Sequence, residues 1–436
     1  MAVIELDPSR ETPLSPARPP LHIFRPAGLV VAVVLLLALG GAAPAATTMW
    51  RSIGSIPLAT EGTFTPAGDR IVTLADTDQA RVLTAWQQDP PRRLWTASLP
   101  ASEPPDGVVL TAGNWLFAEG DTLMVPQSDY STVAVDLRSG QTRYTLRNRV
   151  EPALPGVGLI RRTIFRPGAA NDPGSDADGM LHIGDDGRPY HEPPQRTEVS
   201  GIDLGTGRAL WRLPVRGAAV TRMVGASLLV VSDDRLQEVD ATTGRVLREQ
   251  ESAGGGWVDI VGGLAVVFGA RTTTAYDLAT LTPRWHTPTG PLSDTATGAR
   301  CDGVVCRRSE TGAEVIDPAT GATRWRTGRE ASLRPQGSSL IEYDSVSQRP
   351  LRVVDAASGR PTADLRSWQT LSSLGTLETL LSRVEPGGKR MSFAVVRAGQ
   401  IQPLGYADVI VRDCRAGDGL VVCRHDEGIE LFAYRA

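Results

Sequence analysis

The sequence predicts an all-β fold, an eight-bladed β-propeller of four-stranded blades with seven blades as the alternative, preceded by one N-terminal transmembrane helix. Three observations predict it. A unit consisting of an Asp, a tight turn and an aromatic residue eight positions after the Asp recurs along the chain. From Asp203 onward the recurring Asp residues stand 37, 37, 40 and 38 positions apart. One continuous apolar segment lies near the N-terminus. A period near 40 with internal turns is the mark of a radial or solenoidal repeat, in which each unit buries its apolar face against the next.

The clearest copies of the unit are GIDLGTGRALW (Asp203, Trp211), VIDPATGATRW (Asp317, Trp325) and AYDLATLTPRW (Asp277, Trp285). Partial copies are VDLRSGQTRY (Asp136, Tyr144), VDATTGRVLRE (Asp240) and VDAASGRPTAD (Asp355). Around Asp240 the runs SLLVV, RLQEVD and RVLREQ read as three short strands, and the preceding residues leave room for a fourth. Four strands per unit make a propeller blade. The DxxTG segment suits a hairpin, because Asp and Thr side chains bond nearby amides and Gly takes positive φ. An aromatic residue at Asp plus eight falls on the outer strand, where it packs between blades. Trp50, Trp95, Tyr144, Trp211, Trp285 and Trp325 are therefore expected to dock blades together. The six Asp residues are expected to form turns, since catalysis needs one site and not six.

The DxxTGxxxW-type units resemble the tryptophan-docking motifs of PQQ-binding-like β-propellers, the superfamily of quinoprotein alcohol dehydrogenases and BamB-like assembly factors. The resemblance extends over roughly residues 47–436. It implies a propeller fold but does not separate catalytic from non-catalytic members. Hairpin units centre near Gln87, Asp136, Asp203, Asp240, Asp277, Asp317, Asp355 and Ala398. The two chain ends, with Trp50 in MWRSIGSIPL, can complete one shared blade that removes free sheet edges. Counted literally these make nine, whereas the resemblance implies seven or eight, and eight is the expectation.

The spacing from Asp136 to Asp203 is 67, and the excess lies in a polar segment at 166–196. A loop this long in a compact domain is functional or structureless. Asp176, Asp178, Gly179 and Asp185 echo positions of a calcium loop, but Gly174 stands where the first acidic ligand belongs, so no metal site is expected. The segment is the first surface on which to look for a partner.

Leu29 to Leu39 is continuously apolar, and no charged residue lies between Arg25 and Arg51. A helix over 27–46 spans about 30 Å, the thickness of a bilayer core. Arg10, Arg18 and Arg25 place the first 26 residues, read as a disordered tail, in the cytoplasm and residues 47–436 outside. The alternative is secretion after signal cleavage near Ala45. Both readings export the propeller. Four cysteines form two close pairs, Cys301 with Cys306 and Cys414 with Cys423, each bracketing a Gly-containing turn as neighbouring antiparallel strands would place them. Two local disulfides are expected, and such bonds persist in an oxidising compartment.

Composition bounds the function. A net charge of -4 offers no general attraction to nucleic acid, and 41% hydrophobic residues exclude a disordered chain. Lys389 is the only lysine among 45 basic residues, a bias expected of a GC-rich, actinobacterial genome. His22, His182, His191, His286 and His425 stand singly, and no GxSxG, HExxH or P-loop pattern occurs. The resemblance implies that a PQQ-dependent dehydrogenase would carry a calcium, a carboxylate base and often a disulfide between adjacent cysteines. No adjacent pair exists here. The expectation is a non-catalytic, membrane-tethered propeller without cofactor, binding an envelope protein or polymer on one rim, with a PQQ-dependent dehydrogenase as the alternative.

Overall fold

Strands in each repeat divide into buried and exposed kinds, and the sequence explains which is which. In the unit around Asp240, Ser227–Ser232 (SLLVVS) is apolar on both faces and almost wholly buried, whereas Val246–Glu251 (VLREQE) is mostly exposed. A middle strand is covered on both faces by neighbouring blades and reads as a continuous apolar run. The outermost strand meets solvent and carries charge. The computed structural model describes residues 50–434 except 60–61, 78–79, 101–115, 168–181, 184–188, 191, 253–255, 270–271, 289–300, 302, 310–311, 337–338, 375–377 and 418.

Each blade is an antiparallel meander of successively hydrogen-bonded strands, four of them described in every blade but the sixth, with the N-terminal strand supplying the fourth of the last. Blades 1 to 5 cover Thr63–Pro100, Phe117–Leu146, Glu151–Arg216, Ala219–Glu251 and Trp257–Pro288. Blade 6 shows three strands among the described residues, within Val305–Arg326, and blades 7 and 8 cover Ala331–Asp364 and Gln369–Ala407. Blade 9 closes the ring: Arg412–Gly417, Leu420–His425 and Gly428–Tyr434 are completed by the N-terminal strand Trp50–Pro57.

The propeller thus has nine blades, which corrects the expectation of eight and its alternative of seven. Nine is the literal count of the repeat units in the sequence. Blade number follows from how the whole ring packs, and this ring accommodates every unit. The membrane helix expected over 27–46 lies outside the described residues, as do the expected tail and cleavage site. The described residues contain no helix, so none there is long and apolar enough to cross a membrane.

The core is divided into seams between adjacent blades. One seam joins Leu159, Val199 and Trp211 of blade 3 to Leu228, Val230, Val239 and Ala241 of blade 4. Cys414 and Cys423 sit directly opposite one another on adjacent strands and are disulfide-bonded, with Cα atoms 4.0 Å apart. The Cys301–Cys306 disulfide differs from the expected cross-strand pair. Cys301 precedes the strand and lies in no strand itself, so this bond staples a turn onto Val305–Ser309.

The meander gives the ring two unlike faces. Turns between first and second strands, and between third and fourth, emerge on one face, which therefore carries the Asp turns. Turns between second and third strands, and the links from blade to blade, emerge on the other. The insertion belongs to this second face, because it leaves after Ile164 and returns at Arg196, which are paired at that end of blade 3.

Candidate functional site

The recurring Asp residues are turn organisers. Asp240 accepts hydrogen bonds from the amides of Thr242 and Thr243, both at 2.9 Å, and from the Thr242 hydroxyl at 2.6 Å. Asp136, Asp203, Asp277, Asp317 and Asp355 accept equivalent bonds from residues two or three positions on. The Thr242 hydroxyl, followed by the Thr243 amide, holds the Asp240 carboxyl down at about 2. Arg143 likewise lowers Asp136, Thr280 lowers Asp277, Arg324 lowers Asp317 and Ser358 lowers Asp355 below the usual carboxylate range. Carboxylates so stabilised are poor proton acceptors near neutral pH. Asp344 of blade 7 makes the same turn on the opposite face, bonding the Ser347 amide at 2.7 Å. It falls outside the repeat pattern because it has neither a glycine four positions on nor an aromatic residue eight positions on; Gln348 and Arg352 stand there.

Each docking aromatic reaches the next blade's turn. The indole N–H groups of Trp95, Trp211, Trp285 and Trp325 donate to the carbonyls of Leu137, Ala241, Pro318 and Ala356, at 2.7 to 3.0 Å. The Tyr144 hydroxyl donates to the Leu204 carbonyl at 2.6 Å. Every acceptor is the residue immediately after a repeat Asp. The ring then covers the residue four positions after that Asp, which is Gly140, Gly207, Gly244, Gly321 or Gly359, where a Cβ would strike it. The glycine of the DxxTG pattern thus serves the neighbouring ring as well as its own turn. Blade 4 carries Arg248 where the aromatic would be, and blade 5 correspondingly carries Leu281 in place of the glycine. Leu281 is buried at φ 56° and packs into the seam.

Trp50 docks against the preceding blade and not the next one. Docking aromatics sit opposite small residues on the neighbouring strand: Ala85, Ala134, Gly201, Ala275 or Val315. In blade 9 the equivalent position is Gly54, opposite Leu431, and Arg51, opposite Ala433, shares its face, while Trp50 pairs with Tyr434. A one-residue offset sends a side chain to the other face of the sheet. Trp50 accordingly stacks between Phe393 of blade 8 and Phe432 of its own blade, with centroids 4.4 and 4.5 Å away. Its indole N–H has no hydrogen-bond partner among the described residues. Arg51 faces blade 1 instead and pairs with Asp89 at 3.0 Å.

The face opposite the Asp turns is the candidate site. The insertion is tied to blade 3 by Phe165 and Tyr190, stacked at 3.8 Å and nearly parallel, and its two ends are paired by Arg166 and Glu192 at 3.7 Å. Its possible calcium positions, 174, 176, 178, 179 and 185, lie outside the described residues. At the same end of blade 8, a cavity of about 740 Å³ is lined by Glu385, Lys389, Arg390, Ser392, Tyr406 and Asp408. A second cavity, about 410 Å³, opens between the innermost strands of blades 3, 4 and 5 beside Glu151, Arg222 and Met223. Arg222 there pairs with the buried Asp259 of blade 5 at 3.4 Å.

Among the described residues, no three His, Cys, Asp or Glu side chains are grouped to hold a metal ion. The four cysteines are consumed in the two disulfides, neither of which joins adjacent residues. His286 lies on the outer strand of blade 5 and His425 at the end of a blade 9 strand.

A family model described as outer membrane protein assembly factor BamB matches residues 195–372, less than half of the chain. No curated protein matches the sequence. Among solved structures, BamB from Moraxella catarrhalis aligns at 11% identity, covering 88% of this chain and 98% of that one, with a TM-score of 0.43. The quinohemoprotein alcohol dehydrogenase ADHIIG from Pseudomonas putida HK5 aligns at 12% identity, covering 88% and 76%, with a TM-score of 0.40. Sqt1 from Saccharomyces cerevisiae aligns at 10% identity, covering 88% and 100%, with a TM-score of 0.40. The match runs from the third strand of blade 3 into the first strand of blade 8, and over those repeats the propeller is similar to the PQQ-like, BamB-like family.

Proposed function

We propose that this chain is a non-catalytic scaffold of the cell envelope that holds a protein or polymer partner on the face opposite its Asp turns. The observation that carries the reading is the unlikeness of the two faces. One is occupied by near-identical turns whose carboxylates are satisfied by their own backbone. The other bears connections of varied length, the insertion and the blade 8 cavity. Loops of varied length gathered on a rigid ring are a common way to build a binding surface. Two disulfides support an oxidising compartment.

Site-specific photocrosslinking in native membranes tests this. A photoreactive residue replacing Asp129 or Asp234, in second-to-third-strand turns, is expected to yield a discrete adduct. The same residue at Thr206 or Thr243, in Asp turns, is expected to yield none. Equal labelling from both faces would refute the assignment of the face. Dye-linked alcohol oxidation by the full chain with added PQQ and calcium would refute the non-catalytic reading.

A further inference from the structure

The cavity at blade 8 has a lining unlike the rest of the surface. Tyr406 is 57% exposed, a high value for an aromatic side chain in this chain. The Arg390 guanidinium lies over its ring, 4.2 Å from the centroid, and donates to Asp408 at 2.8 Å. The ring is thus held by a cation on one face and remains open to solvent elsewhere. Glu385, on the turn that carries Lys389, accepts from Ser392 and from Arg383 at 3.1 Å. The chain's only lysine, Lys389, lines this cavity.

These groups select a class of ligand. Two carboxylates and two cations line the cavity, so it offers no net charge to an ionic ligand. It offers instead both kinds of hydrogen-bonding group: acceptors on Glu385 and Asp408, and donors on Lys389, Arg390 and Ser392. They surround one aromatic surface that can cover an apolar C–H face. A ligand with many hydroxyls on one side and C–H groups on the other matches that arrangement, and a volume of about 740 Å³ accommodates more than one sugar ring. We propose that this cavity binds a neutral oligosaccharide, a segment of an envelope glycan, with Tyr406 as the stacking platform and Asp408 and Glu385 as hydroxyl acceptors. The proposal rests on the reading of this face as the binding surface and names the polymer for it.

The lone lysine makes the test specific. The full chain is acylated with an amine-reactive ester in the presence of neutral tetrasaccharides of glucose, galactose, mannose or N-acetylglucosamine, and modification of Lys389 is followed by mass spectrometry. At least one sugar is expected to protect Lys389 at millimolar concentration. Calorimetry with that sugar is expected to show binding weakened about tenfold in Tyr406→Ala and in Asp408→Asn, and nearly unchanged in Tyr406→Phe. Because Tyr406 and Asp408 are exposed, these variants keep the blade intact, which thermal unfolding verifies. Absence of binding by every sugar, binding without protection of Lys389, or undiminished binding by Tyr406→Ala would overturn the proposal. Face-specific crosslinking to a protein together with no sugar binding would overturn it alone and leave the reading of the face standing.

Discussion

Replacement of Gly244 by Ala probes the docking geometry most directly. Gly244 has φ 70°, and a Cβ there would lie 2.6 Å from carbons of the Trp211 indole. The backbone alone costs about 1–2 kcal/mol, because an L-residue is strained in the left-handed region. Relief of the contact requires the indole to withdraw, which breaks the 2.9 Å bond from Trp211 to the Ala241 carbonyl and costs about another 1 kcal/mol. Partial unpacking of the buried ring raises the total to about 3–4 kcal/mol. Gly225 supplies the control, since it has φ 57° and nothing within 4 Å of a built Cβ. Gly225→Ala should cost only the backbone share of about 1–2 kcal/mol. Urea unfolding measures both, with the slope checked for constancy. In a Trp211→Ala background, Gly244→Ala should fall to the cost of the Gly225 control. Equal losses for the two glycine variants, or no coupling to Trp211, would refute the argument that the glycine exists to admit the ring.

Four further outcomes follow from the same structure. Trp50→Ala should destabilise by about 3–5 kcal/mol as a buried aromatic deletion, and Arg51→Ala by less than about 1 kcal/mol because its ion pair is exposed; urea midpoints in the reverse order would contradict the closing-blade register. Replacing Cys414 and Cys423 by Ser should lower stability by about 2–3 kcal/mol on the chain-entropy estimate, read as a lowered midpoint that added reductant does not lower much further. Asp240, ordinarily at 3.8, titrates at about 2 when folded, so its stabilisation is complete above about pH 4 and is lost as pH falls through about 2. A plot of urea midpoint against pH should therefore decline less steeply over that range in Asp240→Ala than in the parent. Arg248→Trp should destabilise against Leu281, whereas Arg248→Trp with Leu281→Gly should recover stability by creating the docking pair absent between blades 4 and 5, and thermal unfolding of the two variants would show it.

Much of this fold was legible in the chain because its signals are local. An Asp, its turn and an aromatic eight residues later lie within one hairpin, so the Asp203, Asp277 and Asp317 units announce strands, turns and the side chain that leaves for the neighbouring blade. The cysteine pairs are equally local, and their separation sufficed to name both disulfides, though not to tell the cross-strand bond from the turn staple. The candidate site was less legible. Segment 166–196 stood out as an interruption of the period, but Lys389 and Tyr406 carry no mutual signal, since strand pairing within blade 8 brings them together.

By itself the sequence determined the repeat, its turn chemistry and the two cysteine pairings, since hairpins and short disulfide loops depend on residues a few positions apart. Only the tertiary structure decided that nine units share one ring, that Arg51 and not Trp50 faces blade 1, and that the cavity of blade 8 opens beside the chain's one lysine. The physical reason is distance along the chain. Closure joins Trp50 to Tyr434, and a register between strands so far apart is chosen by packing across the completed blade, where Phe393 and Phe432 receive the indole and a shift of one residue would turn it away.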